Sequence, residues 1–219
     1  MAHALELHDV HIAVGGRALI DHLDLVVSPG TVTTVMGESG AGKSSLLAFL
    51  CGTLSPAFAA SGRVVAGGVD VSADPPERRR IGILFQDDLL FPHMSVGQNL
   101  AFGLPRSIDD WRTRSRLIAD GLAEVGLAGF GDRDPATLSG GQRARVAVIR
   151  VMLSQPRALL LDEPFSKLDA ATKGRFRPFV FDHVRKRSIP TLLVTHDPQD
   201  ALAAAGPVIH LGSIDGAPA

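Results

Sequence analysis

Residues 37–44 read Gly-Glu-Ser-Gly-Ala-Gly-Lys-Ser. Three glycines closed by a lysine and a hydroxyl fit the phosphate-loop pattern G-x-x-x-x-G-K-[ST] at every fixed position. A triphosphate carries dense negative charge and needs many donors with little steric bulk. Gly37, Gly40 and Gly42 allow backbone N–H groups to converge on such an anion, and a following helix adds its positive N-terminal end. Lys43 is expected to reach the β- and γ-phosphates, and the Ser44 hydroxyl to ligate Mg²⁺. Glu38, Ser39 and Ala41 inside the loop, and Ser45 after it, complete the candidate cradle.

A second set of chemical groups lies at 158–163, Ala-Leu-Leu-Leu-Asp-Glu. The apolar run reads as a buried strand from whose end two carboxylates emerge. Carboxylates at the C-terminal edge of a parallel sheet face the crevice where ligands bind. Asp162 is placed to hold Mg²⁺, and Glu163 to polarise an attacking water. A third set is Leu138-Ser139-Gly140-Gly141-Gln142. Ser139 and the two glycines, opening a helix, form a second anion-binding nest. One triphosphate needs one nest, so the second implies a second chain.

These groups need elements to hold them. Leu5–Val10 and Leu23–Val27 read as strands around the turn residues Gly15 and Gly16. Thr31–Met36 is β-branched and apolar, as a buried strand is, and runs into the glycine loop. Lys43–Leu50 reads as the helix after it. Arg63–Val71 suggests a short strand pair, and Ile81–Phe85 a strand leading to Gln86. From Asp87 to Gln155 the pattern is mostly helical. Ser107–Asp110 has the form of a capping box, with Trp111, Ile118, Leu122 and Val125 on one helical face beyond it. Ser139–Gln142 has the same capping form and opens a helix through about Leu153, which Pro156 closes. Ala158–Leu161 and Thr191–Val194 are strands again. The alternation predicts a mainly parallel α/β core, interrupted by a helical insertion.

Composition bounds the rest. The chain has 219 residues, 45 % of them hydrophobic, and a formal net charge of −1. That suffices for one sizeable core and gives no bulk attraction to nucleic acid or anionic lipid. The single cysteine, Cys51, excludes an internal disulfide and suits a reducing compartment. The first ten residues contain no apolar run of the kind a signal peptide has. Ser44–Gly62 carries no charge, but Gly52, Pro56 and four serines make it a helix end and a loop rather than a membrane span.

With these motifs in this order, the chain resembles the ATP-binding-cassette (ABC) ATPases, over nearly its whole length. The resemblance implies a RecA-like P-loop NTPase fold: a mainly parallel core, an N-terminal antiparallel β subdomain and an inserted helical subdomain. It implies one ATPase domain over 1–219, with core 1–86 and 156–219 and helical part 87–155. Ser139, Gly140, Gly141 and Gln142 then match the family signature. Two copies are expected head-to-tail, each ATP lying between the phosphate loop of one chain and the signature of the other. Gln86 looks like the Q-loop glutamine, contacting Mg²⁺ or water. Ser166–Asp169 looks like the D-loop, and His196 like the switch histidine that meets the γ-phosphate.

Two residues depart from the family pattern. An aromatic ring often stacks on adenine at the position Val14 holds here, and the chain contains no tyrosine. Weak adenine discrimination is the expectation. Lys167 replaces a more usual alanine. Residues 81–105 most resemble the stand-alone ATPases of bacterial binding-protein-dependent importers, near the thiamine, iron and polyamine group. That likeness implies permease subunits, indirectly a solute-binding protein, and a peripheral place on the cytoplasmic face of the plasma membrane. Leu89, Leu90, Phe91 and Met94 are candidates to line the permease groove. A lipoprotein-release or exporter ATPase is the alternative, and a soluble ABC protein acting on DNA or ribosomes a third. With few residues after His196, regulation through a C-terminal domain is not expected.

Overall fold

The structure, a computed structural model, describes residues 3–212. In chain order, β1 (Leu5–Val14), β2 (Arg17–Val27) and β3 (Val32–Met36) precede α1 (Lys43–Cys51). Next come β4 (Phe58–Ala66), β5 (Val69–Asp70), the single turn α2 (Pro76–Arg79) and β6 (Ile81–Leu84). They are followed by α3 (Val96–Gly103), α4 (Trp111–Glu124), a 3₁₀ turn at Pro135–Thr137 and α5 (Gly140–Leu153). β7 (Ala158–Asp162), α6 (Ala170–Lys186), β8 (Thr191–Val194), α7 (Pro198–Ala204) and β9 (Val208–His210) complete the order.

The chain divides into two compact units. The first gathers the described residues through Ile83, Arg157–Glu163 and the described residues from Arg177 onward. It holds two sheets, an antiparallel one ordered β2-β1-β4-β5 and one ordered β6-β7-β8-β3-β9. In the second sheet β7, β8, β3 and β9 run parallel. This is the α/β class expected. The parallel strands read as continuous apolar runs because both faces are covered: Leu159, Leu160 and Leu161 of β7 and Leu192, Leu193 and Val194 of β8 are all buried. One cluster joins Leu5, Leu7, Val10 and Ile12 of β1 to Leu46, Leu47 and Leu50 of α1 and to Leu160 and Leu192. Cys51 packs against that cluster, and burial pushes its thiol up to about 11, as suits an unreactive core residue.

The first two strands extend further than the sequence pattern indicates. In β1 the inward residues are Leu5 and Leu7, then Val10 and Ile12. The change of parity marks an irregularity between Leu7 and Val10, where Asp9 takes a left-handed backbone conformation at φ 49°. His22 does the same in β2, also at φ 49°, and its Nδ1 lies 2.5 Å from Asp9 Oδ1. A bulge flips every later side chain to the other face, so period-2 reading loses β1 after Val10 and recovers β2 only at Leu23.

The second unit is Leu84–Pro156 with Pro164–Phe176. In it α5 packs against α3 and α4. Two sequence expectations fail here. Ser107 does not cap α4; Asp110 does, accepting from Arg112 N and Thr113 N. A carboxylate one residue before the helix outcompetes the more distant serine. Trp111 is not on the buried face either, being 68 % exposed. Leu122 and Val125 are buried as expected. The unexpected capping box is at Ser95, whose hydroxyl accepts from Gln98 N while Gln98 Oε1 accepts from Ser95 N. Buried Asn99 fastens the preceding loop, accepting from Phe91 N and donating to Phe91, Met94 and Ser95 carbonyls.

Among the described residues no helix is long and apolar enough to cross a membrane. The uncharged run 44–62 is split between α1, a loop and β4.

Candidate functional site

Three neighbouring strands of the parallel sheet end at one edge. β3 feeds the glycine loop, β7 ends at Asp162, and β8 is followed by Thr195-His196. In the first unit a cleft of about 510 Å³ opens there, lined by Gly37, Lys43, Ser44, Asp162, Glu163 and His196 among others. That volume suits a nucleotide-sized ligand. Ser39, Gly40, Gly42 and Ser45 also face it.

The loop geometry explains its residues. Gly42 caps α1 at φ 87° with no side-chain cap, and the first turn of α1 holds no acidic residue. The amides that open α1 are left for an external acceptor. At Gly37 a Cβ would lie 2.7 Å from the Leu211 carbonyl oxygen, so any side chain would push the loop off the residue that follows β9. Lys43 Nζ sits over the loop, donating to the Gly37 and Glu38 carbonyls at 2.8 and 2.7 Å. Glu38 and Ala41 do not line the cleft; Ala41 is buried, and its N–H donates to the Glu38 carbonyl.

The acidic pair splits into two environments. Burial first, and then the charge of Glu163, hold the Asp162 carboxyl above its ordinary range, while Lys43 draws it down. Glu163 sits in the left-handed region at φ 47°, pinned by its N–H to the Val194 carbonyl at 2.9 Å. Such strain collects at functional sites. Its Oε1 lies 2.9 Å from His196 Nδ1. The His196 ring is 68 % exposed and the Glu163 side chain 26 %, so the pair stands at the cleft mouth with access to water.

Hard oxygen donors from Ser44 and Asp162 fit Mg²⁺, which takes few protein ligands and completes its shell with phosphate and water. No group of three or more His, Cys, Asp or Glu side chains poised for a metal occurs among the described residues. An ionised carboxylate whose folded-state pKa is raised costs folding free energy. Asp162→Asn is therefore expected to raise the melting temperature of the nucleotide-free protein. A lower melting temperature would show that the carboxylate is a structural support instead.

Of the remaining candidates, Gln86, Ser139, Gly140, Gly141 and Gln142 lie in the second unit and Val14 in the first. Gln86 is exposed on a bend after β6. The segment behind it is held within that unit. Asp87 pairs with Lys167 Nζ, Asp88 with Arg143 at 3.5 Å, and Arg150 donates to the Leu89 and Asp88 carbonyls. This gives Lys167 a partner; an exposed pair of this kind contributes about 0–1 kcal/mol. Ser139 caps α5 as expected: its hydroxyl accepts from Gln142 N at 3.3 Å, and Gln142 Oε1 accepts from Ser139 N at 2.9 Å. The box leaves the Gly140 and Gly141 amides as the open donors of the helix start. Val14 lies at the hairpin end, paired across Gly15–Gly16 with Arg17.

Sequence reading missed what stands beneath His196. Thr195 Oγ1 donates to Asp200 Oδ2 at 2.6 Å, and Arg177 Nε donates to Asp200 Oδ1 at 2.5 Å. Arg177 also donates to Asp197 Oδ2 at 2.6 Å. Asp197 in turn caps α7 through Gln199 N. The Asp197-Pro198 pair was a legible cap signal; the partnership with Arg177 was not.

Known proteins bear on this arrangement. The family model described as ABC transporter matches residues 20–166. The uncharacterized ABC transporter ATP-binding protein YnjD of Escherichia coli (strain K12) is 47 % identical over 89 % of each chain. The Fe(3+) ions import ATP-binding protein FbpC 3 of Rhodococcus jostii (strain RHA1) is 44 % identical over 95 % of this chain and 59 % of its own. The Fe(3+) ions import ATP-binding protein FbpC 1 of Rhizobium meliloti (strain 1021) is 41 % identical over 89 % of this chain and 54 % of its own. The chain thus spans little more than half the length of the iron-import relatives.

Proposed function

This chain belongs to the ABC transporter family, and from that premise we propose that it is the ATP-hydrolysing subunit that powers a bacterial solute importer. The observation that carries the proposal is the cleft where the glycine loop, Lys43, Ser44, Asp162, Glu163 and His196 meet. In this reading Lys43 and the loop amides hold the phosphates of ATP. Ser44, Asp162 and Gln86 would hold Mg²⁺, which would supply positive charge to offset the negative charge of the phosphates. Glu163 takes a proton from the attacking water, and His196, on the same carboxylate, supports the γ-phosphate. No residue forms a covalent intermediate; the work is positioning and charge stabilisation.

The reading includes a head-to-tail homodimer of single-domain chains, each made of the core 1–86 and 156–219 and the helical part 87–155. Ser139, Gly140, Gly141 and Gln142 of one copy complete the phosphate site of the other. ATP closes this clamp and hydrolysis opens it. Permease subunits receive the motion, a solute-binding protein delivers the cargo, and the ATPase sits peripherally on the cytoplasmic face of the membrane. The iron named for FbpC relatives supports a metal or small-solute cargo class without fixing it.

Affinity capture from detergent-solubilised membranes of the native host, with tagged Glu163→Gln and ATP, tests the assignment. A polytopic membrane protein in the captured set is expected. Capture of ribosomal or DNA-associated proteins alone would overturn the transporter reading and leave the ATPase reading standing.

A further inference from the structure

Beside the phosphate cleft lies a smaller groove of about 90 Å³, lined by Arg17, Ala18, Leu19, Ser39, Gly40 and Ala41. Leu19, Ser39 and Gly40 also line the main cleft, so the two spaces share a wall. Arg17 opens β2, opposite Val14 across the two-residue turn. Arg17 lines this groove together with its neighbours Ala18 and Leu19. The Arg17 side chain is exposed and makes no hydrogen bond or ion pair with any described residue. Neither space has a phenylalanine, tyrosine or tryptophan in its lining.

The base of a nucleotide lies beyond its ribose, away from the phosphates on the glycine loop, and this groove adjoins the cleft across the wall they share. A flat π-surface arriving there meets one planar group, the guanidinium. We propose that Arg17 stacks on the nucleobase, the small Val14 leaving room at the hairpin end for it to do so. Guanidinium planes stack on aromatic faces where an ammonium offers only a point charge. Stacking is tolerant of base identity because every base has a π-face, so Arg17 gives affinity without choosing adenine over guanine. This deepens the nucleotide-binding reading and rests on it.

The test is calorimetric titration of the full chain with Mg-ATP, Mg-GTP and Mg-tripolyphosphate. Wild type, Arg17→Ala, Arg17→Lys and Arg17→Ala with Val14→Tyr are compared. Arg17→Ala is expected to weaken ATP and GTP alike by about fivefold and to leave tripolyphosphate unchanged, which also certifies the fold of the phosphate loop. Arg17→Lys should stay weak, and Val14→Tyr should restore ATP affinity in the Arg17→Ala background by supplying a ring. Unchanged ATP affinity in Arg17→Ala overturns the stacking role. So does an equal loss for tripolyphosphate that lysine repairs, which would make Arg17 a phosphate contact. Wild type that binds none of the three ligands overturns the nucleotide reading itself, a result distinct from either.

Discussion

Glu163→Gln is expected to bind Mg-ATP and to turn it over about 10²–10⁴ times more slowly than wild type, the usual contribution of a positioned base. The amide matches the carboxylate in size and still offers an acceptor near His196, which lies 2.9 Å from Glu163 in the wild type. It cannot take a proton from water. The residue is also fixed by its backbone: φ 47° and the N–H bond to Val194 aim the side chain into the cleft. Single-turnover hydrolysis separates chemistry from binding here. Wild-type rates in the variant would remove Glu163 from the role of base and leave the cleft as a binding site in search of one.

Asp200→Ala is expected to destabilise the protein by about 3 kcal/mol, the lower end for breaking a buried ion pair. Asp200 is 2 % exposed and serves Arg177 and Thr195 together. Its loss leaves Thr195 Oγ1 without the Asp200 acceptor, while Arg177 keeps its pair with Asp197, which is why the low end of the range applies. Asp197 N–H donates to Thr195 Oγ at 3.1 Å, so His196, between those two residues, loses its support as well. Turnover should fall alongside stability. Denaturant unfolding of wild type and variant decides this; a change below about 1 kcal/mol would mean that the network tolerates solvent and is not a buried pair in the energetic sense.

What the sequence could reveal follows from how local each signal is. The strand–loop–helix of β3, the glycine loop and α1 is legible because spacing, turn type and helix start occupy adjacent residues. The same holds for β7 running into Asp162-Glu163 and for the Ser139–Gln142 box. Legibility fails where a distant residue decides the outcome. Asp9 and His22 invert the phase of β1 and β2 through a contact between strands, and no period-2 pattern carries that information. Ser107 resembled a cap, yet Asp110 holds the position, because the competition between nearby caps depends on where the preceding loop delivers the chain. Arg177 reaches Asp197 and Asp200 across twenty or more positions, so the support of His196 is invisible to any local motif. Lys167 had no account from sequence; its partner Asp87 lies 80 positions away.

The central claim is that two copies of this chain close on ATP. Light scattering of Glu163→Gln during size-exclusion chromatography, with and without Mg-ATP, tests it most directly. The expected result is a particle of twice the 23.1 kDa chain mass with ATP, holding two nucleotides, which falls back to one chain when Ser139 is replaced by a bulky residue. A single chain that holds one ATP at saturation and never pairs would contradict the account.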